Sequence, residues 1–269
     1  MRQLSRLLAT LFVLIGLSAL QGVSAQTIVR SPDQRAPLAD RWEWAVDQTE
    51  SRFVVGYATV GTSTSGWITG GDGISLRDLL GEPVGTRTHM AILVRFMDGR
   101  VEGIDALDSL STFQSESSNL YWLGDASQQD SFDLLQSLAL TENAEENRAY
   151  VLGNHRSVPE AGTLLRGLLE SARRDDLRKA AAYGYGAFAG SNGLPLLKRT
   201  AVSDRSDDVA KAATYAVSNV DNDEAITALE SILADTNRQE VKKAAVYGLG
   251  NIGTDRARRV LLGLILDEG

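Results

Sequence analysis

Side chains able to do chemistry are few in this chain, and none falls into a catalytic pattern. Of 269 residues two are histidine, His89 and His155, and none is cysteine. Neither histidine has acidic or cysteine companions at metal-ligand spacing, so each reads as a surface or helix-end residue. Gly70-Gly71-Asp72-Gly73 lacks the Gly-Lys-Ser/Thr of a phosphate loop and reads as a turn. Gly61-Thr62-Ser63-Thr64-Ser65-Gly66 comes near a nucleophile elbow but misses the last glycine of G-x-S-x-G. Asp221, Asp223 and Glu224 cluster without the spaced oxygens and glycine of a calcium loop, and read as caps of a helix beginning near Ala225. The expectation is no catalytic residue, no metal and no cofactor.

What does recur is contact chemistry. Tyr150, Tyr183, Tyr215 and Tyr247 occupy one position of a repeating pattern. Lys179, Lys211 and Lys243 stand at i−4 to three of them, as neighbours on one helix face. Together they would make an aromatic and basic ladder suited to grip an extended or helical segment of another protein, tyrosine being enriched at binding hot spots. The alternative is that each ring packs on the next repeat, where Gly184, Gly186, Gly248 and Gly250 leave room. A second candidate lies near the C-terminus. One column reads Arg166, Lys198, Glu230 and then Leu262; one helical turn later it reads Glu170, Val202, Ala234 and then Leu266. Leu262 and Leu266 would mark a homodimer contact, a dock for a partner, an edge that an N-terminal module folds back upon, or an exposed terminal cap.

These columns are carried by a recurring phrase: Leu177–Ala189, Val209–Asp221 and Val241–Gly253, three copies of equal length whose starts are evenly spaced. A weaker copy, Glu146–His155, precedes them and falls one position out of step when Tyr150 is aligned with Tyr183. A fixed period of this size means stacked supersecondary units. At about 100° per residue, Val241, Ala245, Gly248, Leu249 and Ile252 form one stripe, and Tyr247 lies about 135° from its centre. A leucine-rich helix precedes each phrase: Leu165, Leu168 and Leu169; Leu197, Thr200 and Ala201; Leu229, Ile232 and Leu233. Asp175–Asp176, Asp207–Asp208 and Gln239–Glu240 suit the positive end of the second helix. Asn219 and Asn251 suit left-handed C-terminal turns. Each unit is a helix–turn–helix pair, and Thr254–Leu266 is a last, single helix.

The phrase V-x-K-A-A-x-Y-x-L-G-N-I-G, with its acidic turn and leucine-rich helix, resembles the bacterial HEAT-like repeat, a family that includes a bilin-lyase type. The resemblance runs from about Ser131 to the C-terminus. It implies antiparallel helix pairs, second helices lining a concave surface, and a protein-interaction role with no shared catalytic residues. The tyrosine column departs from the family, which usually has a polar residue there. A bilin-lyase-like role would need a chromophore-sized cavity and a cytoplasmic home.

Upstream, Arg2 and Arg6, an apolar run at Leu11–Leu20 and Val23-Ser24-Ala25 read as a signal peptide cleaved before Gln26. This predicts a bacterial periplasmic or secreted protein with no membrane span after cleavage, and speaks against the bilin-lyase role. Losing those two arginines from the 27 basic residues leaves 25 against 35 acidic ones, near −10. Such a chain, without a basic run, is a poor nucleic-acid binder. Residues 26–40, with Pro32 and Pro37, read as a linker. Residues 41–118 read as a small β-rich module: strands at Trp42–Val46, Phe53–Val60 and Gly66–Thr69, a hairpin of Met90–Met97 and Arg100–Ile104 around Asp98-Gly99, and single helical turns at Ile74–Leu80 and Ala106–Phe113. Residues 119–130 read as a connector, with helix from Phe132 to Leu140 opening the first pair. The predicted fold is thus α+β multidomain: a small β-rich N-terminal module, then a short α-solenoid of HEAT-like helix pairs over 131–269. The expected function is a non-catalytic exported scaffold. Its rival is a small-molecule-binding or enzymatic β module, with a pocket at Asp72, Arg87 and His89 and the repeats as docking arm.

Overall fold

The computed structural model describes residues 27–48, 50–61, 74–80, 89–108, 112–113, 119–220 and 223–267. The expected signal peptide, the strand at 66–69, both glycine-rich stretches beyond Gly61, Asp72, Arg87 and Asp221 lie outside them.

A β-rich N-terminal region precedes a helical array. The first part contains β1 (Ile28–Arg30), α1 (Leu38–Val46), β2 (Arg52–Val60), β3 (Ile74–Ser75), α2 (Leu76–Leu80), β4 (His89–Met97), β5 (Arg100–Leu107), β6 (Thr112–Phe113), β7 (Asn119–Asp125) and α3 (Gln128–Ser137). Five strands form one sheet in the order β1-β7-β2-β4-β5, and β3 pairs with β6 separately. The β4–β5 hairpin forms as its sequence predicts, with Asp98 at φ 50° and Gly99 at φ 74° supplying the left-handed turn.

Alternation along the strands splits the core in two. Phe53, Val55, Tyr57, Ile92, Val94 and Leu123 face α1 and α3, in a cluster that continues into the array through Leu152 and Leu165. Val54, Ala58, Leu93, Leu120 and Trp122 face the other way, onto Leu76, Leu79 and Phe113. The sheet and the first repeats therefore share one core.

Several expectations are corrected here. Trp42–Val46 is helical: Leu38, Trp42 and Ala45 bury one stripe at helical spacing, and the short W-x-W alternation carries no pairing partner. The expected linker 26–40 supplies β1, which pairs in parallel with β7, and the start of α1. The expected connector 119–130 is mostly β7, a central strand buried on both faces. Ile74–Leu80 is a two-residue strand followed by a short helix, while Ala106 and Leu107 extend β5. Helix α3 spans Gln128–Ser137 rather than Phe132–Leu140, and it packs on α1 and β2 as well as sharing a core with α4.

The array comprises α4 (Glu142–Leu152), α5 (Pro159–Ser171), α6 (Asp175–Ala189), α7 (Leu194–Ser203), α8 (Asp207–Ser218), α9 (Asp223–Asp235), α10 (Gln239–Ile252) and α11 (Asp255–Asp267). Helices α6, α8 and α10 start at Asp175, Asp207 and Gln239, with the even spacing that the recurring phrase predicts. The bonds closing the preceding helices, Ala172 N to Leu168 O, Asp204 N to Thr200 O and Thr236 N to Ile232 O, keep the same interval. The predicted stripe is internal: Val241, Ala245, Gly248 and Leu249 are buried. Acids begin the second helices as expected, but Asn219 is right-handed, and the left-handed cap of α10 is Gly253 at φ 64°. Only glycine takes that conformation freely.

Helices α4, α6, α8 and α10 lie side by side in one layer. Their contacts are backbone-close. A Cβ on Gly184 would stand 2.1 Å from Ala149 O of α4, and one on Gly153 2.7 Å from Gly184 O. The expectation that such glycines make room for tyrosine rings is thereby corrected for Gly184, Gly186 and Gly248, which face neighbouring helices; Gly250 has no neighbour within 4 Å of its Cβ position.

The two parts are joined at an edge. Strand β5 ends the sheet, and the start of α4 occupies its open side. Thr141 Oγ1 donates to Val101 O at 3.0 Å, Asn143 Nδ2 to Glu102 O at 2.9 Å, and Ile104 N donates to Asn147 Oδ1 at 3.3 Å. Polar side chains thus satisfy a strand edge that would otherwise invite another strand.

Candidate functional site

The second-helix layer brings the tyrosine column together. Tyr150 and Tyr183 stack with centroids 5.8 Å apart, and Tyr215 and Tyr247 meet edge to face at 5.9 Å. The rings thus lean into two pairs. Three are half-buried by their neighbours, while Tyr247 is 61% exposed. The rings pack between rungs and still reach solvent. Burial first, then Tyr150 and Tyr215, push the Tyr183 hydroxyl up to about 12.

The lysines are not a free basic stripe. Lys179 Nζ lies 3.2 Å from Asp176, Lys211 2.7 Å from Asp208, and Lys243 2.7 Å from Glu240. The same ion pairs reach across rungs. Asp208 is held below the usual carboxylate range by its hydrogen bond to Lys211, with Lys179 adding to it. Glu240 is lowered by Lys243 first and also by Lys211. At the fourth rung the lysine position is Glu146, which binds Arg174 together with Glu145 at 3.1 Å. The expected basic ladder is therefore neutral at its three lysine rungs, because the acids placed for the helix N-terminus lie one turn before each lysine. It is acidic at the fourth, where Glu142, Glu145 and Glu146 share Arg174.

Leu262 and Leu266 are 60% and 78% exposed on α11. Helix α11 packs on α9 and α10, at the far end from the sheet, so among the described residues the N-terminal module does not fold back upon them.

His155 stands just past the end of α4, as the helix-end reading expects, but it is not at the surface. It is 0% exposed, with Nε2 2.8 Å from Ser131 Oγ and Nδ1 3.2 Å from Val151 O; Ser131 Oγ is 2.9 Å from the Tyr57 hydroxyl. A carbonyl only accepts, so Nδ1 carries the proton, Ser131 donates to Nε2, and Tyr57 donates to Ser131. Burial lowers the histidine to about 4. A serine beside a histidine is nucleophile–base geometry, but Ser131 too is 0% exposed, so no substrate reaches it. The relay ties β2, α3 and the end of α4. Nothing in the sequence couples these residues, since Tyr57 and Ser131 stand 74 positions apart. His89 opens β4, half-buried; Asp223 and Glu224 are exposed first-turn residues of α9, which suits capping.

The model of the family described as HEAT repeats matches residues 193–269. The C-terminal part of the chain thus carries HEAT-like repeats, a fold of the protein-interaction scaffold kind in a family that is generally non-enzymatic. No curated protein matches the chain. No described helix is long and apolar enough to cross a membrane.

Proposed function

We propose that this protein is an exported, non-catalytic scaffold that holds another protein on its second-helix face. The observation that carries the reading is the tyrosine row. The hydroxyls of Tyr57 and Tyr121 are hydrogen-bonded within the protein, whereas those of Tyr150, Tyr183, Tyr215 and Tyr247 have no hydrogen-bond partner among the described residues. Partly buried rings with free hydroxyls offer contact area at small entropic cost and polar groups that still need partners.

The test is capture from envelope extract with residues 26–269 as bait, beside a Tyr183/Tyr215/Tyr247→Ala bait of unchanged helicity. A partner held by the first and lost by the second is the expected result; equal capture by both rejects this face. Export rests on residues 1–25, and a reporter fused after Thr27 that stays in the cytoplasm would overturn it. Self-association through α11 belongs to the same reading. Sedimentation is expected to give a dimer for the parent chain and a monomer for Leu262→Asp/Leu266→Asp; equal masses refute the contact.

A further inference from the structure

We infer that the tyrosine row takes an uncharged, proline-rich segment in the polyproline II conformation. The inference rests on the second-helix face being the binding surface and adds the chemistry of its occupant.

Charge is the first argument. Lys179, Lys211 and Lys243 each face an acid of their own helix at 3.2, 2.7 and 2.7 Å, and Glu146 is taken by Arg174. Over the Tyr183, Tyr215 and Tyr247 rungs these pairs cancel, which complements neither a basic nor an acidic peptide; at the Tyr150 end Arg174 is shared by Glu142, Glu145 and Glu146. An uncharged segment leaves these pairs intact and strands no ion.

The second argument is the sense of the hydrogen bonds. The free groups are four phenolic hydroxyls, able to donate, beside ammoniums that only donate. A polyproline II chain has no internal hydrogen bonds, so its carbonyls are open acceptors. Proline also has no N–H that docking would leave unsatisfied.

Spacing is the third. Helices packed side by side stand roughly 8–10 Å apart, and one three-residue turn of polyproline II rises about 9 Å. One turn of ligand therefore spans one rung. The rings form two pairs, Tyr150–Tyr183 and Tyr215–Tyr247. Successive pairs are two rungs apart, so they meet prolines about six residues apart, each pyrrolidine lying on aromatic carbon as in other aromatic-lined grooves that read such segments.

The experiment uses the chain from residue 26 with its tyrosines 13C-labelled, titrated with an all-proline nonapeptide amide. A glycine–serine nonapeptide, an arginine-rich one, an acidic one and a neutral oligosaccharide are the comparisons. Saturable shifts of the row's tyrosines with the proline peptide alone are expected. Tyr183→Phe and Tyr215→Phe, which keep the ring packing, are each expected to weaken binding about fivefold through loss of one hydrogen bond. Tighter binding of a charged peptide or the oligosaccharide overturns the inference, as does full affinity in both Phe variants. If the proline peptide fails while capture still depends on the tyrosines, this inference falls and the scaffold reading stands. If capture is also independent of them, both fall.

Discussion

Acidification from pH 7 to pH 4 is expected to remove about 3 kcal/mol of stability through His155 alone. Its proton affinity drops from the ordinary 6.5 to about 4 on folding, and at 1.36 kcal/mol per tenfold change in proton affinity that is about 3 kcal/mol. The folded pKa is the lower one, so the unfolded chain binds the extra proton. Stability is complete above pH 6.5 and declines as pH falls toward 4. The cause is geometric. Protonation would require Nε2 to donate to Ser131, breaking the relay and leaving the hydroxyl hydrogen of either Ser131 or Tyr57 without an acceptor in a core where both side chains are 0% exposed. No charged group contributes to the shift, so nothing nearby compensates an imidazolium. Urea denaturation at half-unit pH steps, parent against His155→Gln, isolates the effect from the many carboxylates that titrate at lower pH. The variant is expected to be less stable at pH 7, and its deficit to shrink toward pH 4. Parallel curves would mean that His155 does not titrate with folding.

Gly184→Ala is expected to cost about 2 kcal/mol, although alanine is the better helix former by about 1 kcal/mol. The added methyl would lie 2.1 Å from Ala149 O and 2.9 Å from Leu165 Cδ2. The first of these is backbone and cannot rotate away, so α4 must leave α6, and α4 also holds the β5 edge. Gly250→Ala, with no neighbour within 4 Å, is the matched control and is expected to stabilise by a few tenths to about 1 kcal/mol. Hydrogen exchange of the Gly184→Ala chain should quicken in α4 and β5 while α8 to α10 keep their protection. Equal unfolding free energies for this variant and the parent would refute the close-contact account.

What was legible in the sequence is what local or periodic rules encode. The Asp98-Gly99 hairpin needs only a turn and two apolar runs, and the helix pairs needed only the even return of one phrase. The sheet was less visible because its order depends on distant partners. Strand β7 pairs in parallel with β2, Phe53 standing opposite Asn119, and no local turn announces such a pairing. Tyr121-Trp122-Leu123 is apolar on both faces because β7 is central, so it lacks the alternation that marks a half-exposed strand. The tyrosine column was readable as a column, but its ring pairing was not, since the direction in which each ring leans depends on the neighbouring helix. The neutrality of the lysines could have been read from Asp176, Asp208 and Glu240 at i−3, had the capping acids been counted as partners as well.

The docking of α4 on β5 gives the array a fixed origin. Each later helix pair leans on its neighbours, so excising or duplicating one whole repeat between α6 and α10 would shift everything downstream by one rung and leave the sheet undisturbed. The molecule then behaves as a ruler, with its zero mark set by Thr141, Asn143 and Asn147. Its span changes in steps of about one helix diameter, and under the proposed function the length of partner segment it holds would change with it.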